Sequence, residues 1–100
     1  MTIEISIHDN SVLAQLRGRL DTAATTQFST DMQPLLDHAD KPITLDCEAL
    51  EFISSSGLRL LLSLRKAALA HGGRVTLRNL SPQIKQVFTI TGFTTLFDFE

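Results

Sequence analysis

The sequence predicts an α/β fold, a small mixed β-sheet with α-helices packed on a face, forming a single domain over residues 1–100. Two observations carry that prediction. Apolar residues near the N-terminus recur with a period of two, and strand-like and helix-like patterns alternate from residue 40 onward. A chain of 100 residues leaves no material for a second core.

Ile3, Ile5 and Ile7 alternate with Thr2, Glu4 and Ser6, the pattern of a half-buried strand. Asp9-Asn10 signals a turn, and Val12, Ala14, Leu16 and Gly18 resume the alternation, so the two runs read as a hairpin. Thr22 is a candidate N-cap for a helix carrying Ala24, Phe28, Met32, Leu35, Leu36 and Ala39, with a kink expected at Pro34. Ile43 to Cys47 suits an inner strand, and Glu48 to Ser55 reads as a connecting segment. The helix from Gly57 to Ala70 is the clearest in the chain, with Leu58, Leu61, Leu62, Arg65 and Leu69 on one broad face. His71-Gly72-Gly73 ends it. Arg74 to Arg78 forms a further strand. Ser81 then caps a helix opened by Pro82, with a buried stripe of Ile84, Val87, Phe88 and Thr91 closed by Gly92. Thr94 to Phe99 alternates again and suits a short edge strand.

Composition narrows the function classes. The net charge is −2 with both signs interspersed, which gives no case for tracking a nucleic-acid backbone. The longest apolar run, Leu58 to Leu64, is interrupted by Arg59 and Ser63 and is too short to span a bilayer. The opening MTIEISIHDN has neither a basic region nor an unbroken apolar stretch, so it does not read as a signal peptide. Cys47 is the only cysteine, which points to a reducing compartment, with the cytoplasm as the expected location.

The chemically informative stretch is Leu45 to Leu58, which carries three consecutive serines, Ser54-Ser55-Ser56, directly ahead of the long helix. Its ordinary reading is an N-cap, one hydroxyl satisfying a free amide of the first turn. The same geometry also tolerates a phosphate, because a helix N-terminus presents free amides and partial positive charge. A phosphoserine there places about −1.5 to −2 charges at a fixed exposed point, which suits a binding switch.

The run from Asp46 to Leu58, with its apolar pair followed by Ser-Ser-Gly-Leu, resembles the signature of the STAS domain, the family of bacterial anti-sigma-factor antagonists. Val12 to Asp21 resembles the family's second strand with its Gly-x-Leu-Asp ending. Gly73 to Phe97, with Leu80-Ser81-Pro82 and Thr91-Gly92-Phe93, resembles its C-terminal half. The resemblance covers essentially the whole chain. It implies a protein-binding module, not an enzyme, that captures an anti-sigma factor acting also as a serine kinase. Phosphorylation of Ser56 releases that partner, and a serine phosphatase restores binding. On that resemblance Asp21, Ser54, Ser55, Ser56, Gly57 and Arg59 form the partner-binding set. One position departs from the pattern: where many members have Asp two residues before the acceptor, this chain has Ser54. A rival reading within the same fold is a constitutive accessory subunit of a bacterial transport ATPase in lipid trafficking, with no phosphorylation.

Other constellations carry ordinary readings. Asp21 and Asp46 are taken as solvated strand-end carboxylates, not an acid–base pair. Gly18 reads as a tight strand exit, since no phosphate-loop pattern surrounds it. His8, His38 and His71 are scattered and do not pair with Cys47 at ligand spacing, so neither metal nor cofactor is expected. Cys47 reads as a small core residue and Arg59 as a solvated flank position. Phe52 and Ile53 are buried or rim an interface. Ser56 lacks the elbow and the His–Asp partners of a nucleophile.

Overall fold

Leu16, Leu45 and Leu77 sit on neighbouring strands of one sheet, and their burial defines the side on which the helices pack. A computed structural model describes residues 1–100. Five strands lie in the order β1 (Thr2–Ile7), β2 (Val12–Leu20), β3 (Pro42–Ile53), β4 (Arg74–Arg78) and β5 (Asp98–Phe99). The first pair is antiparallel and the other three pairs are parallel, so the sheet is mixed. Between them run α1 (Thr25–Asp31), α2 (Gln33–Asp37), α3 (Ser55–Ala70) and α4 (Pro82–Ile90).

The register explains the two faces. Val12 stands beside Ile43 and Ile43 beside Val75, while Ala14, Leu45 and Leu77 form the next row. These rows are buried with Phe28, Met32, Leu35, Leu58, Leu61, Leu64, Ile84 and Phe88 in one core cluster. Phe88 closes it by meeting Phe97 and Phe99 edge to face, with ring centroids 5.7 and 5.9 Å away. The opposite face carries Glu4, Gln15, Thr44, Thr76 and Arg78, none of them fully buried.

Several expectations change. The expected connector Glu48 to Ser55 is strand as far as Ile53, paired with the second half of β2. Two register shifts, between Gln15 and Arg17 and between Gly18 and Arg19, insert extra β3 residues, so its inward positions become Cys47, Leu50 and Ile53. A spacing of three hides a strand from a period-two reading. Gly18 is accordingly not a strand exit but a mid-strand residue with φ of 96° at one of these shifts. The helix expected across Ala24 to Ala39 is two helices parted at Met32, with Pro34 in the first turn of α2 where its missing N–H costs nothing. Thr22 does not cap it. The Asp21 carboxylate accepts from the Ala24 amide at 2.9 Å instead.

The long helix begins at Ser55, two residues earlier than expected. Its inward face is Gly57, Leu58, Leu61, Leu64 and Ala68, with Leu69 55% exposed, so the buried stripe is rotated from the expected one. In α4, Ser81 caps and Pro82 opens the helix, while Val87 is half-buried and Thr91 exposed. The last strand is only Asp98–Phe99, preceded by a 3-10 turn over Phe93–Thr95.

Gly57 sets how closely α3 approaches the sheet. A Cβ there would lie 2.8 Å from Leu20 Cγ and 3.1 Å from Ile53 Cγ1, both on fully buried side chains. Gly57→Ala is therefore expected to destabilise the fold by about 1–2 kcal/mol, since overpacking exceeds alanine's helix-propensity gain. Urea unfolding monitored by circular dichroism measures this; an unchanged midpoint would show that the helix can lift off at no cost.

Candidate functional site

The carboxyl ends of two neighbouring parallel strands, β2 at Leu20 and β3 at Ile53, finish side by side. The Ser54 amide donates to the Leu20 carbonyl at 2.9 Å, so Asp21 and the serine run start from adjacent points.

The three serines have different chemical positions. Ser54 is the N-cap, with φ −87° and ψ 169°, and its Oγ accepts from the Gly57 amide at 3.1 Å. Its carbonyl receives the Leu58 amide at 2.9 Å, the first hydrogen bond of the helix. Ser55 and Ser56 lie inside the first turn, Ser55 exposed and Ser56 half-buried. That turn contains no acidic residue, so nothing offsets the positive end of the helix dipole. Arg59 is exposed and follows Ser56 by three positions, on the same side of the helix. Gly57 is buried and packs against Leu20 and Ile53.

Asp21 is half-buried and turned onto its own chain through the Ala24 amide, which also lies 3.1 Å from the Asp21 carbonyl. One feature at this end was not visible in the sequence. Arg19 and Phe52 are cross-strand partners, and the guanidinium carbon lies 4.5 Å from the ring centroid. They sit one residue before the Leu20–Ile53 pair, placing an aromatic and a cation beside the serines. Phe52 was a candidate from the sequence, but its neighbour is set by register across 33 residues of chain.

Asp46 is not the solvated strand-end carboxylate expected of it. It is 7% exposed and lies within β3. Its Oδ1 accepts from the Glu48 amide at 3.1 Å and the Asn79 side chain at 3.2 Å, and Oδ2 lies 3.6 Å from Arg78. Burial pushes the carboxyl up, but the two hydrogen bonds and the Arg78 charge outweigh it and hold the pKa below its ordinary value. Asp46 thus fastens β3 to β4 on the open face, and Asn79 reaches it from a left-handed position with φ of 59°. The Cys47 thiol next to it is pushed up to about 12 by burial and then by the Asp46 charge, so it stays protonated at neutral pH and serves as core.

These assignments separate structural from free hydroxyls. Ser54→Ala is expected to cost about 1 kcal/mol through loss of the cap, whereas Ser55→Ala and Ser56→Ala leave the thermal midpoint nearly unchanged. Differential scanning calorimetry of the three variants distinguishes them; equal losses would contradict the assignment. The depressed Asp46 pKa makes a second prediction. Its stabilisation is present above the unfolded carboxyl pKa, near about 4, and disappears as pH falls through the lower folded value. Asp46→Asn should lower stability at pH 7 and flatten the loss on acidification, as read by urea titrations across pH; an equal acid slope in both proteins would refute the linkage.

Comparison with known proteins agrees with this geometry. The chain matches the model of the family described as "Mlab, STAS domain" over residues 3–98. It is 32% identical over 89 residues to the protein of Bordetella bronchiseptica named "Putative anti-sigma factor antagonist BtrV", covering 89% of this chain and 77% of that protein. The solved structure of the anti-sigma factor antagonist SpoIIAA in its unphosphorylated form superposes with a TM-score of 0.80 at 25% identity, covering 99% of this chain and 88% of that one. The phosphorylated form of SpoIIAA, a Bacillus cell fate determinant, superposes with a TM-score of 0.72 at 26% identity, covering 99% and 91%.

Proposed function

The chain belongs to the STAS-domain family, and from that premise we propose that it is an anti-sigma-factor antagonist whose partner binding is switched at Ser56. Unmodified, the serine end of the molecule docks on an anti-sigma factor that is also a serine kinase. Phosphorylation by that kinase releases it, and a serine phosphatase resets the cycle. The chain's own role is binding, not catalysis.

The observation that carries this reading is the division of labour among the serines. Ser54 Oγ is engaged as the acceptor of the Gly57 amide, whereas the Ser55 and Ser56 hydroxyls have no hydrogen-bond partner in the fold, and Ser56 abuts the glycine on which the helix is seated. The structural relative SpoIIAA exists in unphosphorylated and phosphorylated forms. The replacement of the family's Asp by Ser54 fits the same reading, because serine and aspartate cap a helix equally well. What is lost is a negative charge, not the cap.

The physical effect of a phosphate at Ser56 falls on the partner more than on the fold. The dianion meets a helix N-terminus without acidic residues, and Arg59 stands on the same side of the helix to pair with it. A docked partner, by contrast, must desolvate the dianion. Uncompensated buried charge at an interface costs about 2–5 kcal/mol, enough to lower affinity by at least an order of magnitude. Asp21, Ser55 and Arg59 surround the switch as partner contacts, with Ser54 and Gly57 holding the turn in shape.

Affinity capture from the native host with wild type, Ser56→Ala and Ser56→Asp tests this. Wild type and Ser56→Ala are expected to retain a small ATP-binding kinase that Ser56→Asp loses. Adding ATP to the captured complex should then append one phosphoryl group to wild type, by intact mass, and none to Ser56→Ala. A transport ATPase retained by all three would overturn the switch in favour of a constitutive accessory subunit.

A further inference from the structure

The sheet has one long open edge. β1 is the outermost strand, and its register with β2 runs from Thr2↔Arg17 to Ile7↔Val12 without a bulge. The other edge, β5, is two residues long. Natural edge strands are usually blunted by lysine, proline, bulges or covering segments. β1 reads TIEISI: it has no lysine, proline or glycine, and its single charge, Glu4, is paired to Arg17 of the same chain at 3.0 Å.

We propose that β1 is a homodimerisation edge, joining a second copy of this chain in an antiparallel pairing centred on Ile5. Antiparallel addition about a two-fold axis keeps both core faces on the same side, so odd-numbered residues must oppose odd-numbered residues. The register centred on Glu4 sets two carboxylates directly against each other and is disfavoured. The register centred on Ile5 instead opposes Ile5 to Ile5, Ile3 to Ile7 and Glu4 to Ser6. It alone gives five opposed pairs within the strand and no like-charge contact.

A second observation fits the same register. Beside β1 on the core side lies an open cleft of about 170 Å³ lined by Met1, Ile3, Ala24, Gln27, Phe28 and Asp31. At the other end of the strand Ile7 is left 45% exposed. In the Ile5-centred pairing the partner's Ile7 stands directly opposite Ile3, at the mouth of this cleft, and the contact occurs twice by symmetry. The interface is a single strand edge and its flanks, so the dimer is weak and concentration-dependent. The serine end follows β3, on the other side of β2 from β1, and stays free in the pair.

Charge at position 6 tests the register, because Ser6 is exposed and not part of the core. Sedimentation equilibrium of wild type at rising concentration should show a monomer–dimer equilibrium. Ser6→Glu sets two like charges against the two Glu4 residues and should weaken it by roughly tenfold. Ser6→Lys should tighten it at low salt and lose that gain at high salt. Ile7→Lys should abolish it with the thermal midpoint of dilute protein unchanged. A chain that stays monomeric at millimolar concentration overturns the proposal, as does a dimer indifferent to both charges at position 6. These readouts do not involve Ser56, so the dimer and the switch stand or fall separately.

Discussion

The parallel pairing of β2 with β3, carried to the very ends of both strands, is the constraint on which the functional end of this molecule depends. The Ser54 amide bonds the Leu20 carbonyl, and the next residues turn directly into α3. For the helix to start there, its first turn must lie against Leu20 and Ile53, and only a residue without a side chain fits at position 57. Close packing, capping and exposure are thus three consequences of one junction. Gly57 goes in, Ser54 closes the turn, and the hydroxyls of Ser55 and Ser56 are left over.

The two bulges in the β2–β3 ladder belong to the same logic. They lie where β3 runs on past the end of β4, which pairs only as far as Asp46↔Arg78, and they keep Leu50 and Ile53 pointed into the core. Where the ladder is last shared by three strands, the buried Asp46 carboxylate holds it, paired to a partly exposed Arg78. Asp46 gathers an amide, a carboxamide and a guanidinium, and its burial is tolerable only because all three are present. The protruding end, stabilised from below, presents Arg19, Phe52 and the serine turn beside one another.

A closely packed, capped junction of this kind suits the proposed switch, which acts on association. Ser54 and Gly57 hold the turn through contacts that do not involve the Ser56 side chain, so the proposed charge at position 56 would act on docking and leave the platform folded. The same rigid sheet offers its opposite edge, β1, independently of that event, because β2 and β3 separate the two surfaces.

Much of this was legible in the residues. Alternating isoleucines determined β1, the Ser-Pro pair determined the start of α4, and three serines before a glycine marked the start of α3, because each is a local preference of backbone or side chain. The resemblance of Asp46 to Leu58, Val12 to Asp21 and Gly73 to Phe97 to one family added the expected fold. What the residues could not reveal is whatever depends on a partner distant in sequence. Bulges turned the second half of β3 into a period of three and disguised a strand as a connector. The rotation of α3, with Leu69 outside and Leu64 inside, follows from which side the sheet occupies, and a helix leucine-rich on several sides does not announce that. Asp46 looks like any polar strand residue until Arg78 and Asn79 are brought to it by the β3–β4 register. Which of the three serines is the cap and which are free was decided only when Leu20 fixed the position of the Ser54 amide, for the sequence offers three equal hydroxyls and tertiary packing makes them unequal.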